Sequence, residues 1–296
     1  MEEFRSAAGA RRRRLALVLG ITSSFLVLEV VGGILTNSLA LLADAGHMFT
    51  DVAGIGLALF AIRLASRPSS EERTFGLYRV EILAAVVNAV LLFGIAAYVL
   101  DEAWRRLFEP PEIASGLMLA VAVAGMIANG VSLWILREAQ GESLNMRGAY
   151  LEVLGDMLGS VAVVVAAIVI GLTGFRAADP IASAVIGLMI LPRTWKLLRD
   201  AVDVLLETTP KNVDLAQVRR HILESNGVVD VHDLHVWTIT SGMNVVSAHV
   251  VVEDDADPGA VLDRLCACLS DDFDVEHSTF QLETHDRRRL EEASHP

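Results

Sequence analysis

The sequence predicts a polytopic α-helical membrane protein with six transmembrane helices, followed by a small C-terminal α/β domain. Three observations predict it. Of 296 residues, 53% are hydrophobic and the mean hydropathy is +0.48, yet the formal net charge is −13. The charge is unevenly spread: residues 1–198 carry 16 basic and 17 acidic residues, and residues 199–296 carry 8 and 20. The near-neutral part also breaks into apolar runs of about 20 residues, the length that spans a bilayer as a helix. These features exclude a disordered chain and a basic nucleic-acid binder, and two cysteines are too few for a disulfide-stapled secreted domain.

The expected spans are Leu15–Leu35, Leu39–Ile62, Val80–Leu100, Ile113–Leu136, Ala149–Ile170 and Pro180–Leu198. Pro192 interrupts the last, so a bend or an early exit is expected there. The run Arg11–Arg14 precedes the first span, and Arg63, Arg67, Arg73, Arg79, Arg137, Arg147, Arg193, Lys196 and Arg199 lie in connections on the same side. Only Arg105, Arg106 and Arg176 fall opposite. The positive-inside rule therefore places both termini in the cytoplasm, and an even number of spans agrees. Leu15–Leu35 is too long for the apolar core of a cleaved signal peptide. The expected organisation is a basic arm over residues 1–14, a membrane domain over 15–205 and a tail domain over 206–296.

In the tail the periodicity changes. Leu215–Ser225 reads as an amphipathic helix, Val228–Thr240 and Val245–Val252 as strands joined at Ser241-Gly242, Pro258–Leu269 as a helix and Val275–Leu282 as a strand. Cys266 and Cys268 are two apart on a predicted helix, so they point to nearly opposite faces and read as ordinary thiols of a reducing compartment.

The apolar runs contain Glu29, Asp44, His47, Asp51, Asn88, Asn129, Glu152 and Asp156, with Asp179 at a span's edge. An ionisable side chain at bilayer depth costs roughly 2.5–3.5 kcal/mol or more, so it is expected to face the protein interior and to serve a purpose. Glu29 has a structural or a functional reading, and Asn88 and Asn129 suit interhelical hydrogen bonds. His47 and Asp51 are four apart on one helix, as are Glu152 and Asp156 on another. Each pair projects from one face, and the two together supply four N/O ligands for a divalent first-row cation. Asp44, one turn before His47, is a candidate vestibule ligand, partner of His47 or proton acceptor. The Gly155-x-x-x-Gly159 spacing would let a neighbouring helix approach Asp156 closely, and Gly32, Gly33, Gly54, Gly56 and Gly148 suit either dense packing or helix sliding.

Four segments together resemble the cation diffusion facilitator family, specifically its bacterial cobalt–zinc–cadmium efflux branch: Leu42-Ala43-Asp44-Ala45-Gly46-His47-Met48-Phe49-Thr50-Asp51, Tyr78-Arg79-Val80-Glu81-Ile82-Leu83-Ala84, Asn145-Met146-Arg147-Gly148-Ala149-Tyr150 and Val231-His232-Asp233-Leu234-His235-Val236-Trp237. The resemblance runs from about Arg14 to Glu283. It implies a homodimer in the cell (plasma or inner) membrane that exports a divalent cation, Zn²⁺ first, in exchange for protons. Its tail would be a cytoplasmic metallochaperone-like (ferredoxin-like) α/β domain that senses metal and dimerises. The family's intramembrane site falls on His47, Asp51, position 152 and Asp156. Zinc-transporting members usually have His-x-x-x-Asp on both helices, whereas this chain has Glu152-x-x-x-Asp156. One imidazole and three carboxylates make a harder, more negative set, which leaves room for Co²⁺, Cd²⁺ or Mn²⁺ beside zinc. The resemblance also implies tail ligands at His232, His249 and Glu283, with His235 or His277 completing the site or bridging to the other protomer. It implies an ion pair between Arg79 and Glu207 that ties the membrane domain to the tail. The connection Arg137–Arg147 is too short for the His-rich loop of many eukaryotic vesicular zinc transporters.

Two further classes compete with an exporter. An intramembrane metallo-hydrolase would need an activated nucleophile or base, and no His-Glu-x-x-His appears. A metal sensor or channel would line its pore with rings or filters rather than one closed cage.

Overall fold

The computed structural model describes residues 2–65, 67–137, 144–240, 242–273 and 275–291. The chain folds into two compact units, one of residues up to 59 with 87–198, the other of residues 60–86 with 199–296. Six long helices come first: α1 (Glu2–Thr36), α2 (Leu39–Ala65), α3 (Val80–Phe108), α4 (Ser115–Leu136), α5 (Leu144–Thr173) and α6 (Ala178–Leu205). Among the described residues, five of them, α1 and α3 to α6, hold stretches long and apolar enough to cross a membrane. The 27-residue α2 carries Asp44, His47 and Asp51 instead of a purely apolar sequence, and its length at 1.5 Å per residue still suffices to span.

Leu41, Leu92, Val99, Met118, Val163 and Ile186 form the core of the first unit. Large apolar side chains such as Val27, Ile34, Leu35 and Leu172 face outward, as a lipid-facing surface requires. Trp104 and Trp134 are exposed toward helix ends, where an indole ring suits the headgroup layer.

Several expectations are refined. α1 already begins at Glu2, so the basic stretch is helical and continuous with the first span. α6 does not exit at Pro192 but runs on to Leu205, because the proline's lost hydrogen bond and crowding of the carbonyl four residues earlier are local while the flanking turns persist. Asp179 has a structural role. Buried at the start of α6, it accepts hydrogen bonds from Ser38 Oγ (2.5 Å), Leu39 N (2.8 Å) and Ala40 N (3.2 Å), and so caps the N-terminus of α2 from another helix. The connection between α4 and α5 falls largely on residues 138–143, outside the described residues.

In the tail, α7 (Leu215–Glu224), β1 (Val228–Thr240), β2 (Met243–Val252), α8 (Pro258–Phe273), β3 (Val275–Glu283) and α9 (His285–Glu291) follow in order. The α-β-β-α-β pattern is the one read from periodicity, and the short α9 extends it. Asp214 caps α7 by accepting from Ala216 N at 2.9 Å. The sheet runs β1-β2-β3, with β1 antiparallel and β3 parallel to β2. Its inward residues Val231, Val236, Val246 and Val250 pack on Val218, Ile222, Val261, Leu265 and Leu269 of the helices. At the β1–β2 turn Gly242 takes a positive φ of 81°, and Ser241 lies outside the described residues. Neither Cys266 nor Cys268 forms a disulfide, and Cys268 Sγ lies 3.5 Å from His221 Nδ1.

Candidate metal centre

The cap on α2 fixes where its polar face sits. His47, Asp51 and, from α5, Asp156 converge inside the first unit: His47 Nε2 lies 3.6 Å from Asp51 Oδ2 and 3.7 Å from Asp156 Oδ1. One donor atom from each lies within 4.8 Å of the others, and Asp156 is buried. A tetrahedral zinc with bonds of about 2.0–2.1 Å separates its ligand atoms by roughly 3.3–3.4 Å. His47 Nε2 is thus within a few tenths of an ångström of coordinating spacing from each of the two carboxylates. Asp156 Oδ1 also has no hydrogen-bond partner, leaving a buried lone pair directed at the cluster.

Glu152 occupies a different position from the other three. Its carboxylate adjoins Asp51, but its Oε1 accepts a hydrogen bond from Arg193 Nη2 of α6 at 2.6 Å. Sequence reading took Arg193 only as a cytoplasmic charge. The signal for more was its place directly after Pro192 in an apolar run, opposite a helix with one carboxylate more than the usual motif.

Behind the cluster, the fully buried carboxyl groups of Glu29 and Asp44 meet each other. Asp44 packs against α5 where Gly159 leaves room: a Cβ there would stand 2.7 Å from Asp44 Oδ1. Gly155 faces open space, so only the second glycine of the pair provides a close approach. Asn129 Nδ2 donates to Ser160 Oγ at 3.1 Å, joining α4 to α5, and Asn88 fills the gap beside Gly54.

The second unit holds another cluster. His232 and His249 are register partners on β1 and β2, and Glu283 ends β3. His249 Nδ1 is 2.8 Å from Glu283 Oε1 and His232 Nε2 is 3.2 Å from Glu283 Oε2, with the glutamate itself buried. A register shift between His232 and His235 puts Asp233 at a positive φ of 50°. That turn sets Asp233 Oδ1 2.9 Å from His235 Nε2 and Oδ2 3.8 Å from His249 Nε2. Sequence reading missed Asp233, whose signal was the His-Asp-Leu-His run on a strand. His277 stays apart: it pairs with Val245, four residues along β2 from His249, and its ring packs edge-on against Phe75 at 5.8 Å. In the same unit Arg79 Nη2 donates to Glu207 Oε1 at 2.5 Å, and Thr240 Oγ1 donates to Glu81 Oε2 at 2.5 Å.

Two polar clusters, one in an apolar helical unit and one on a small mixed sheet, appear in a chain that has recognisable relatives. Residues 15–206 match the cation efflux transmembrane domain, and residues 210–285 match the cytoplasmic domain of cation efflux proteins. The metal cation efflux system protein CzcD of Cupriavidus metallidurans is 48% identical over 97% of this chain and 91% of its own length. The zinc transporter ZitB of Escherichia coli is 44% identical over 92% and 87%, and the cadmium, cobalt and zinc/H(+)-K(+) antiporter of Bacillus subtilis is 41% identical over 83% and 80%. Among solved structures, the metal-bound C-terminal domain of that Cupriavidus CzcD transporter is 44% identical, covering 24% of this chain and 99% of that one at a TM-score of 0.23. Matched in order across both domains and along nearly its whole length, this multi-pass membrane protein belongs to the cation diffusion facilitator family.

Proposed function

We propose that the chain is a proton-coupled exporter of divalent cations, zinc first, working as a homodimer in the cell membrane with both termini in the cytoplasm. Residues 15–205 would carry transport and 206–296 would sense metal and dimerise. The observation that carries this reading is the convergence of His47, Asp51 and Asp156 at near-coordinating spacing inside an apolar helical unit. Glu152 completes the set as a third carboxylate beside Asp51. The names of the relatives, which transport zinc, cadmium or cobalt, favour the same cargo. Not being enzymes, those relatives also argue against the hydrolase.

The chemistry of the ligands supplies the exchange. A bound cation needs a neutral imidazole and ionised carboxylates, so metal and protons compete for the same atoms. A site that loads cation facing the cytoplasm and is reprotonated facing outward discharges its cargo and returns with protons. In the tail, His232, His249 and Glu283, with Asp233 and His235 beside them, form the regulatory site. Cation held there offsets the negative charge of two apposed tails and biases the dimer toward transport. The Arg79–Glu207 pair ties the start of α3 to the segment that follows α6.

The test is metal-dependent proton flux in proteoliposomes with Zn²⁺, Cd²⁺, Co²⁺ and Mn²⁺, comparing the native chain with Asp51→Ala. Flux with zinc that disappears in Asp51→Ala is the expected result. Metal movement indifferent to ΔpH would remove the antiport reading, and the absence of flux with any metal would favour a sensor.

A further inference from the structure

The ion pair between Glu152 and Arg193 has a role beyond holding two helices together. Three carboxylates around one imidazole carry one negative charge more than a divalent cation neutralises, and with Asp156 buried and Asp51 and Glu152 only partly exposed such an excess is costly. Arg193 cannot lose its proton, and its planar fork reaches Glu152 Oε1 at 2.6 Å from the adjacent helix. With Asp51, Glu152 and Asp156 ionised and Arg193 charged, the group sums to two negative charges, the complement of a dication.

We propose that Arg193 is a charge-balancing residue of the transport site: paired with Glu152, it cancels the extra carboxylate charge and sets the affinity with which the site binds, and releases, a divalent cation. This inference rests on the transport-site reading given above. Arg193 acts through Glu152 and the field at the site, and does not touch the cation. The position of Glu152 agrees with this: it adjoins Asp51 while remaining bonded to the guanidinium.

The experiment measures zinc affinity by competition with a chromophoric indicator. It uses the purified full chain in detergent with His232→Ala and His249→Ala as a common background to silence the tail. Arg193→Gln leaves the site with one negative charge too many and is expected to bind zinc at least about tenfold tighter. Glu152→His keeps a donor atom but strands the guanidinium beside the cation, and is expected to bind at least about tenfold weaker. The double variant Glu152→His/Arg193→Gln restores two negative charges and should return to within about threefold of the parent. Arg193→Lys, which restores the charge without the fork, should likewise bring affinity back toward the parent.

Unchanged or weaker binding in Arg193→Gln overturns the proposal, as does a lysine variant that behaves like the glutamine one. His47→Ala separates the two readings. If it binds zinc as the parent does, the metal is not at this site and the transport-site reading itself fails. If it abolishes binding while Arg193→Gln changes nothing, only the charge-balancing role fails. Variants are compared only where the size-exclusion profile and helix content match the parent.

Discussion

Ser38 Oγ donates a 2.5 Å hydrogen bond to Asp179 Oδ1 across 141 residues of sequence, and the same carboxylate accepts the first free N–H groups of α2. A helix start buried in an apolar unit has no water to satisfy its N–H groups. Asp179→Ala would orphan the Leu39 and Ala40 amides and the Ser38 hydroxyl together. Each buried unsatisfied group costs roughly 1–3 kcal/mol, so the variant should lose at least about 2 kcal/mol of stability. Its apparent melting temperature in detergent checks this. Because α2 also carries His47 and Asp51, zinc affinity should fall in parallel. A variant as stable as the native chain would show that the cap is dispensable.

Gly159 bears on the same helix pair. A methyl group there would stand 2.7 Å from Asp44 Oδ1, closer than real contacts allow, whereas Gly155 has no neighbour within 4 Å. Gly159→Ala therefore forces either Asp44 or the α5 backbone to shift, and Asp156 moves with that backbone. Transport in proteoliposomes is expected to fall at least about tenfold, since a displacement of about 1 Å in a positioned site costs on that order or more. Gly155→Ala should transport at close to the native rate. Equal losses in both variants would mean that close packing in general, and not the seat of Asp44, is what matters.

The tail cluster predicts a response to metal removal. Glu283 is buried between two imidazoles, and a cation bound to the three would stabilise the folded tail by about 2.7 kcal/mol at a hundredfold excess over its dissociation constant. Zinc should raise the melting transition of the tail unit, chelator should reverse it, and His249→Ala should abolish the difference. Small-angle scattering of the full dimer in detergent, with zinc and with chelator, adds the conformational readout. Equal compactness in both would sink the regulatory role while leaving the binding site intact.

The pattern of helices and strands was legible because each follows from one period: apolar runs near bilayer length gave α1 to α6, and the alternation in the tail gave β1 to β3. The i, i+4 spacing placed His47 with Asp51 on a single face, and the structure brings Asp156 to them. The partners that join different helices were not legible. Nothing local in the sequence says that Asp179 reaches the start of α2, that Glu29 meets Asp44, or that Arg193 turns to Glu152, since each depends on which helices pack side by side. Asp233 was hidden for another reason. A regular strand would put it on the face opposite His232 and its register partner His249, and the irregularity in β1 brings it within reach of His249 as well as His235. The early exit offered as one outcome at Pro192 does not occur, because a proline's cost is local and α6 continues through it.

The carboxylate at position 152 makes the last prediction. Zn²⁺ accepts imidazole readily, while Mn²⁺ is harder and favours oxygen donors, so a site of one imidazole and three carboxylates discriminates less between them than a site with two imidazoles. Glu152→His should therefore raise the ratio of zinc to manganese transport, even where the stranded Arg193 lowers the affinity for both. The ratio is the proper measure because the charge of Arg193 acts on two dications alike, whereas ligand identity acts on each differently. Transport of the two metals is compared in the same proteoliposome preparation, with Glu152→His/Arg193→Gln alongside to remove the stranded charge. If both variants keep the native ratio, position 152 supplies charge to the site but is not its filter. Selectivity must then be sought in how closely α2 and α5 hold His47, Asp51 and Asp156 together.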